Sequence, residues 1–143
     1  MKAYQAACKS AKATALDWNN EAWLTLFLPA ELKPAGDAAN TANRLTQGRN
    51  SAYVHTLAAI QAETGQLKEA RQSLVRYLGF FDASTPINAS AQYLMGRIAE
   101  GLGMPEIAEK FYSALSKPKV DSGDDAYDLA QIRLKIMLSA TAR

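Results

Sequence analysis

The sequence predicts an all-α fold of antiparallel helix-turn-helix hairpins closed by a C-terminal helix, and three observations carry the prediction. Small and apolar residues recur at spacings of three and four, as in LAAIQAETGQLKEARQSL at 57–74. Single glycines, Gly65 and Gly103, interrupt two of these patterns, which restart almost at once, as a tight helical hairpin requires. Small residues also recur 38 positions apart, Ala58 with Gly96, Gly65 with Gly103 and Ala70 with Ala108.

The elements follow in order. Residues 3–16, AYQAACKSAKATAL, set Ala3, Ala6, Ala7, Ser10, Ala13 and Leu16 on one small-residue stripe and predict a closely packed helix. DWNN, Asp17 to Asn20, reads as a break, and EAWLTLFLPAEL as an apolar helix ended or kinked at Pro29. Pro34 and Gly36 read as a connection into a short helix over 37–46 with Asp37 at its positive end.

After the turn QGRNS, helices are expected over 52–64 and 66–78, joined at Gly65. GFFDASTPI at 79–87 is a longer connection, with Asp82, Ser84 and Pro86 breaking or capping helices. A second hairpin, ASAQYLMGRIAEGLG and MPEIAEKFYSALSK, comes next. A polar linker, SKPKVDSGDD, then leads to DAYDLAQIRLKIMLSATA. That last helix has Asp124, Asp125 and Asp128 near its start and Arg133, Lys135 and Arg143 later, matching the helix dipole. Leu129, Ile132 and Ile136 form the stripe expected to cap the preceding hairpin.

Composition bounds the function. A length of 143 residues, 48% of them hydrophobic and 21% charged, suits one ordinary domain with a core. A net charge of +2 gives no general field toward nucleic acid or anionic lipid, so neither is an expected partner. No apolar run reaches the roughly 18 residues of a membrane span, and the start lacks the apolar middle of a signal peptide, so a soluble chain without membrane insertion is expected. Cys8 is the only cysteine and cannot form an internal disulfide, which leaves the compartment open.

The repeated small positions have a physical meaning. At Ala58 or Gly96 one helix approaches its neighbour closely, at Gly65 or Gly103 the chain turns, and at Ala70 or Ala108 the second helix packs back. In the first hairpin the marks are Leu57, Ala58, Gly65, Ala70, Leu74 and Tyr77; in the next, Met95, Gly96, Gly103, Ala108, Tyr112 and Leu115. This pattern resembles the tetratricopeptide repeat (TPR), a helix-turn-helix unit of about 34 residues.

Gln61 and Ala99 stand where that family often has an aromatic residue, and the extra residues of each repeat fit in the 79–87 connection. Trp23, Leu26, Gly36, Ala38 or Ala39, and Leu45 resemble an earlier, degenerate unit. The resemblance implies a right-handed α-solenoid forming a single domain over 1–143. Its parts would be a half repeat at 1–18 with Trp18 in the usual proline position, a degenerate repeat at 20–47, repeats at 51–78 and 88–117, and a capping helix at 124–142. A chain opening on half a repeat is expected to be part of a longer array.

No motif carries chemistry, and the chain is not expected to be an enzyme. His55 has no ligating partners at metal spacing, and Cys8 lies among alanines as a small packed residue. Gly101-Leu102-Gly103 is a hairpin turn, not a nucleotide fingerprint, and DSGDD at 121–125 lacks the alternating ligands and distal glutamate of a calcium loop. Asn88-Ala89-Ser90 matches the glycosylation sequon, a triplet common by chance, and Glu63, Arg97 and Glu100 read as solvated helix charges. No catalytic residue, cofactor or metal is therefore expected.

In the resembled family the first helices of successive units line a concave groove. That implies Glu21, Leu24 and Leu28, then His55, Ala59, Ala62 and Glu63, then Tyr93, Arg97 and Glu100 as partner-binding residues. Leu24, Leu28 and Tyr93 fit core positions equally. Such a groove, mixing alanines, an aromatic and both charges, suits an extended peptide or a helix. It lacks the Lys- and Asn-rich clamp for a C-terminal carboxylate. The expected function is a protein-interaction scaffold within a larger protein. The alternatives are self-association into a homo-oligomer, through uncapped ends or the Trp23 to Leu28 region, and an accessory domain of a larger enzyme.

Overall fold

The computed structural model describes residues 8, 10, 12–28, 32–120 and 125–141, and all regular structure among them is helical. Among the described residues, seven helices run in the order α1 (Ala15–Thr25), α2 (Leu32–Leu45), α3 (Ser51–Glu63), α4 (Leu67–Leu78), α5 (Ala89–Gly101), α6 (Pro105–Ser113) and α7 (Ala126–Thr141). None of the described helices is long and apolar enough to cross a membrane. The chain forms two compact units, the first ending at Asp82 and the second beginning at Ala83. Most of the helix expected at 3–16, Pro29, Asp124 and Arg143 lie outside the described residues.

In the first unit, DWNN does not break a helix but lies inside α1. Thr14 is the N-cap: its Oγ1 accepts from the Asp17 amide at 3.3 Å, and Asp17 Oδ2 accepts from the Thr14 amide at 2.9 Å. Asp17 thus completes a capping box, a role that the same residue type fills as readily as a turn. The α1 helix then stops at Thr25, short of Pro29.

Pro34 and Gly36 likewise fall inside α2. Proline is tolerated in the first turn because its missing N–H would have no intrahelical acceptor there. Ala22, Ala35, Ala38, Ala39 and Ile60 form the core that joins α1, α2 and α3, with Trp18, Leu26, Leu32 and Leu57 against it. Methyl-sized side chains let these helices come close, and Asn43 ties α2 to α3 by donating to the Tyr53 carbonyl at 2.7 Å.

Two turns are built alike. Gly65 and Gly103 have φ of +76° and +74°, in the left-handed region that glycine enters without Cβ strain. The amides of Gln66 and Met104 reach back to the carbonyls of Gln61 and Ala99 at 2.8 and 3.0 Å, the closure expected of a Schellman C-cap. Helices α3 and α5 start after asparagine caps, Asn50 and Asn88, whose Oδ1 atoms accept from following amides. The limits of α3 and the start of α4 recur 38 residues later in α5 and α6. Each hairpin packs on itself, α3 on α4 and α5 on α6.

In the second unit, α7 packs on both α5 and α6. Its buried face is Ala126, Leu129 and Ala130, whereas Ile132 and Ile136 are exposed. The expected stripe of Leu129, Ile132 and Ile136 is therefore rotated. Arg133, one turn beyond Leu129 and Ala130, continues the buried face and pairs with Glu100 on α5.

Candidate functional site

The ten residues expected to line a groove fall into three groups. Ala59, Ala62 and Tyr93 are buried and serve as packing. Glu21, Leu24 and Glu63 are half-buried on the first unit, and Leu28 is 44% exposed beyond the end of α1. His55, Arg97 and Glu100 belong to two clusters whose other members the sequence did not single out as site residues.

In the first unit, His55 is the middle of a row of rings. Its centroid lies 5.2 Å from Trp23 on α1 and 5.4 Å from Tyr77 on α4. Phe27 extends the row beyond Trp23 at 6.1 Å, and Phe81 beyond Tyr77 at 5.2 Å. These spacings are those of packed aromatic pairs, so His55 joins three helices rather than offering a ligand to solvent. Cys8, also in this unit, is buried; burial first, then its hydrogen bond to Glu21 and the charges of Glu21 and Asp17, pushes its thiol up to about 12. A thiol so raised is not a nucleophile at neutral pH.

In the second unit Glu100 is the hub. Its Oε2 accepts from Arg97 Nη1 at 2.9 Å, from Tyr112 Oη at 2.9 Å and from Arg133 Nε at 3.2 Å, while Oε1 pairs with Arg133 Nη2. Burial would raise the Glu100 carboxyl, but the Arg133 hydrogen bonds, the Arg97 charge and the Tyr112 hydroxyl outweigh it and hold the group below its ordinary value. Burial, with a further push from Glu100, raises the Tyr112 phenol, which stays protonated and keeps donating. Arg97 and Glu100 are thus matched to each other and to α7. The sequence shows both, but only the fold brings up Arg133 from 33 residues away.

Below this hub, α6 and the end of α7 enclose a cleft of about 370 Å3. Pro105, Leu134, Ile136, Met137 and Leu138 supply apolar walls, and Glu106 and Glu109 supply exposed acids on one turn of α6. Ile136 and Leu138, at 45% and 61% exposed, leave more apolar surface open than an isolated side chain would. Glu100 also borders the cleft, its charge already answered by two arginines. The arrangement can hold an apolar side chain and favour cations at its edge. Comparison with protein-family models, curated proteins and solved structures finds no match to this chain.

Proposed function

We propose that this chain is a TPR-like interaction module and that the cleft between α6 and α7 docks a short amphipathic helix or peptide with a basic edge. The observation that carries the reading is the pairing of open apolar walls with Glu106 and Glu109 on the rim. Apolar anchors in a groove supply affinity, and the charged rim selects orientation and partner. The recurrence of capped helices and left-handed glycine turns at a 38-residue interval supports the repeat part of the reading. In the first unit, Glu21, Leu24, Leu28 and Glu63 are the solvent-reaching members of the concave groove that the resemblance implies.

Fluorescence anisotropy with two labelled synthetic peptides tests the cleft, one with a leucine stripe edged by lysines and arginines, the other with the same stripe edged by glutamates. The basic peptide binds saturably, and Ile136→Gln/Leu138→Gln weakens it by about tenfold, or roughly 1.4 kcal/mol. Equal binding of both peptides, or binding indifferent to the double substitution while circular dichroism shows the helices intact, would sink the proposal.

A further inference from the structure

Two depressions among the described residues have opposite chemistry. Besides the acidic-rimmed cleft, a more open depression of about 420 Å3 lies along α4, lined by Lys68, Arg71, Gln72 and Val75. Spacings of three, four and seven put these residues on one face of the helix. Lysine and arginine carry aliphatic stems beneath their charges, and Val75 is 70% exposed at the end of the row. The α4 face is therefore an apolar stripe with cationic tips, which is the partner chemistry that the α6–α7 cleft calls for.

The charges are also in register. Lys68 and Arg71 occupy in the first hairpin the positions that Glu106 and Glu109 occupy in the second, 38 residues on. All four are exposed, and among the described residues none of them makes an ion pair. Glu69 on α4 and Lys110 on α6 carry the opposite signs, but neither lines the depression on its helix. Glu100, the third acid at the cleft, is neutralised by Arg97 and Arg133 and leaves the balance to Glu106 and Glu109.

We infer that the occupant of the cleft is the α4 face of a second copy of this chain, with Lys68 and Arg71 against Glu106 and Glu109 and Val75 against the apolar walls. This inference rests on the cleft being a docking site and names its partner. The contact is heterologous: a copy whose cleft is filled still presents its own α4, so association continues past a dimer unless the rotation closes a ring. Exposed ion pairs contribute little each and are screened by salt, so the association is weak and salt-sensitive.

Sedimentation equilibrium of the full chain, over a wide concentration range and at low and high NaCl, tests this. The weight-average mass rises with concentration and the rise shrinks with salt. Lys68→Glu/Arg71→Glu and Glu106→Lys/Glu109→Lys each weaken self-association by about tenfold or more, because attraction becomes repulsion. Mixed in equal amounts, the two variants associate again, since one supplies the basic face and the other the acidic cleft. Circular dichroism confirms that each variant keeps its helices. A monomer at every concentration, a reversed variant that associates like the parent, or a mixture that stays monomeric would each overturn self-docking. A parent chain that stays monomeric while the basic peptide still binds the cleft overturns only this inference. Association that persists in Ile136→Gln/Leu138→Gln, with no peptide binding, overturns the cleft itself.

Discussion

Hairpins α3–α4 and α5–α6 share the limits of their first helices, the starts of their second, asparagine caps and glycine turns, yet at four matching interior positions they differ in kind. Ala58, Ala59, Ala62 and Leu74 of the first correspond to Gly96, Arg97, Glu100 and Tyr112 of the second. The first set is buried and apolar. The second is a hydrogen-bonded hub reaching Arg133 on α7. The backbone plan therefore does not decide what these positions do. Further helices dock on both hairpins, but in α5–α6 these positions latch onto α7 through charge, whereas in α3–α4 small apolar side chains hold the close contact and a hydrogen bond runs between its helices from Ser73 Oγ to Gln61 Oε1 at 2.7 Å.

The largest expected difference is between the two large residues of these sets. Tyr112→Ala removes a fully buried ring that lies over Gly96, packs with Tyr93 at a centroid distance of 6.2 Å and donates to Glu100. It should cost about 3–5 kcal/mol in urea unfolding, against roughly 2–3 kcal/mol for Leu74→Ala, whose residue has no polar role. Equal costs would mean that the second hairpin gains nothing from its latch.

Next is the carboxylate itself. Glu100→Gln leaves Arg97 and Arg133 without their anion and should cost about 1–3 kcal/mol at neutral pH. The sign of the pH effect follows from the direction of the shift. The folded carboxyl is held below its ordinary value of 4.5, so its contribution is full above that value and fades as the pH falls through the lowered folded one. The parent should lose stability relative to Glu100→Gln as acid is added below that ordinary value. A constant gap between the two down to the acid limit would show that the ion pairs contribute nothing measurable.

How much of this is legible in the sequence depends on range. Gly65 and Gly103 announce their turns because a positive φ is a local demand met by one residue type, and the helices around them follow from spacing. Asp17 and Pro34 mislead because aspartate and proline serve turns and helix starts alike, and only the cap geometry decides between them. Arg97 and Glu100 stand out as charges on an otherwise apolar helix, but their role depends on Arg133, a contact across 33 residues with no local signal. The cleft is lined by Ile136, which faces outward, because the apolar stripe read from α7 is rotated away from the face that Ala126, Leu129 and Ala130 bury.

The smallest expected effect tests the comparison most directly, because it moves one residue of the first hairpin into the second. Gly96→Ala in a helix interior should gain up to about 1 kcal/mol from propensity alone. Here the added Cβ would lie 2.4 Å from Tyr112 Cε1 and 2.7 Å from Cδ1, against a buried ring whose hydroxyl Glu100 holds in place. That overpacking costs about 1–3 kcal/mol, so the net change is a destabilisation of roughly 1 kcal/mol. In a Tyr112→Leu background, which restores the alanine and leucine of the first hairpin, the obstacle is gone and Gly96→Ala becomes neutral or stabilising. The double-mutant cycle should give a coupling of about 1–2 kcal/mol. Additive effects would mean that Gly96 is not there for Tyr112, and that the two hairpins differ in composition without differing in the contact that composition serves.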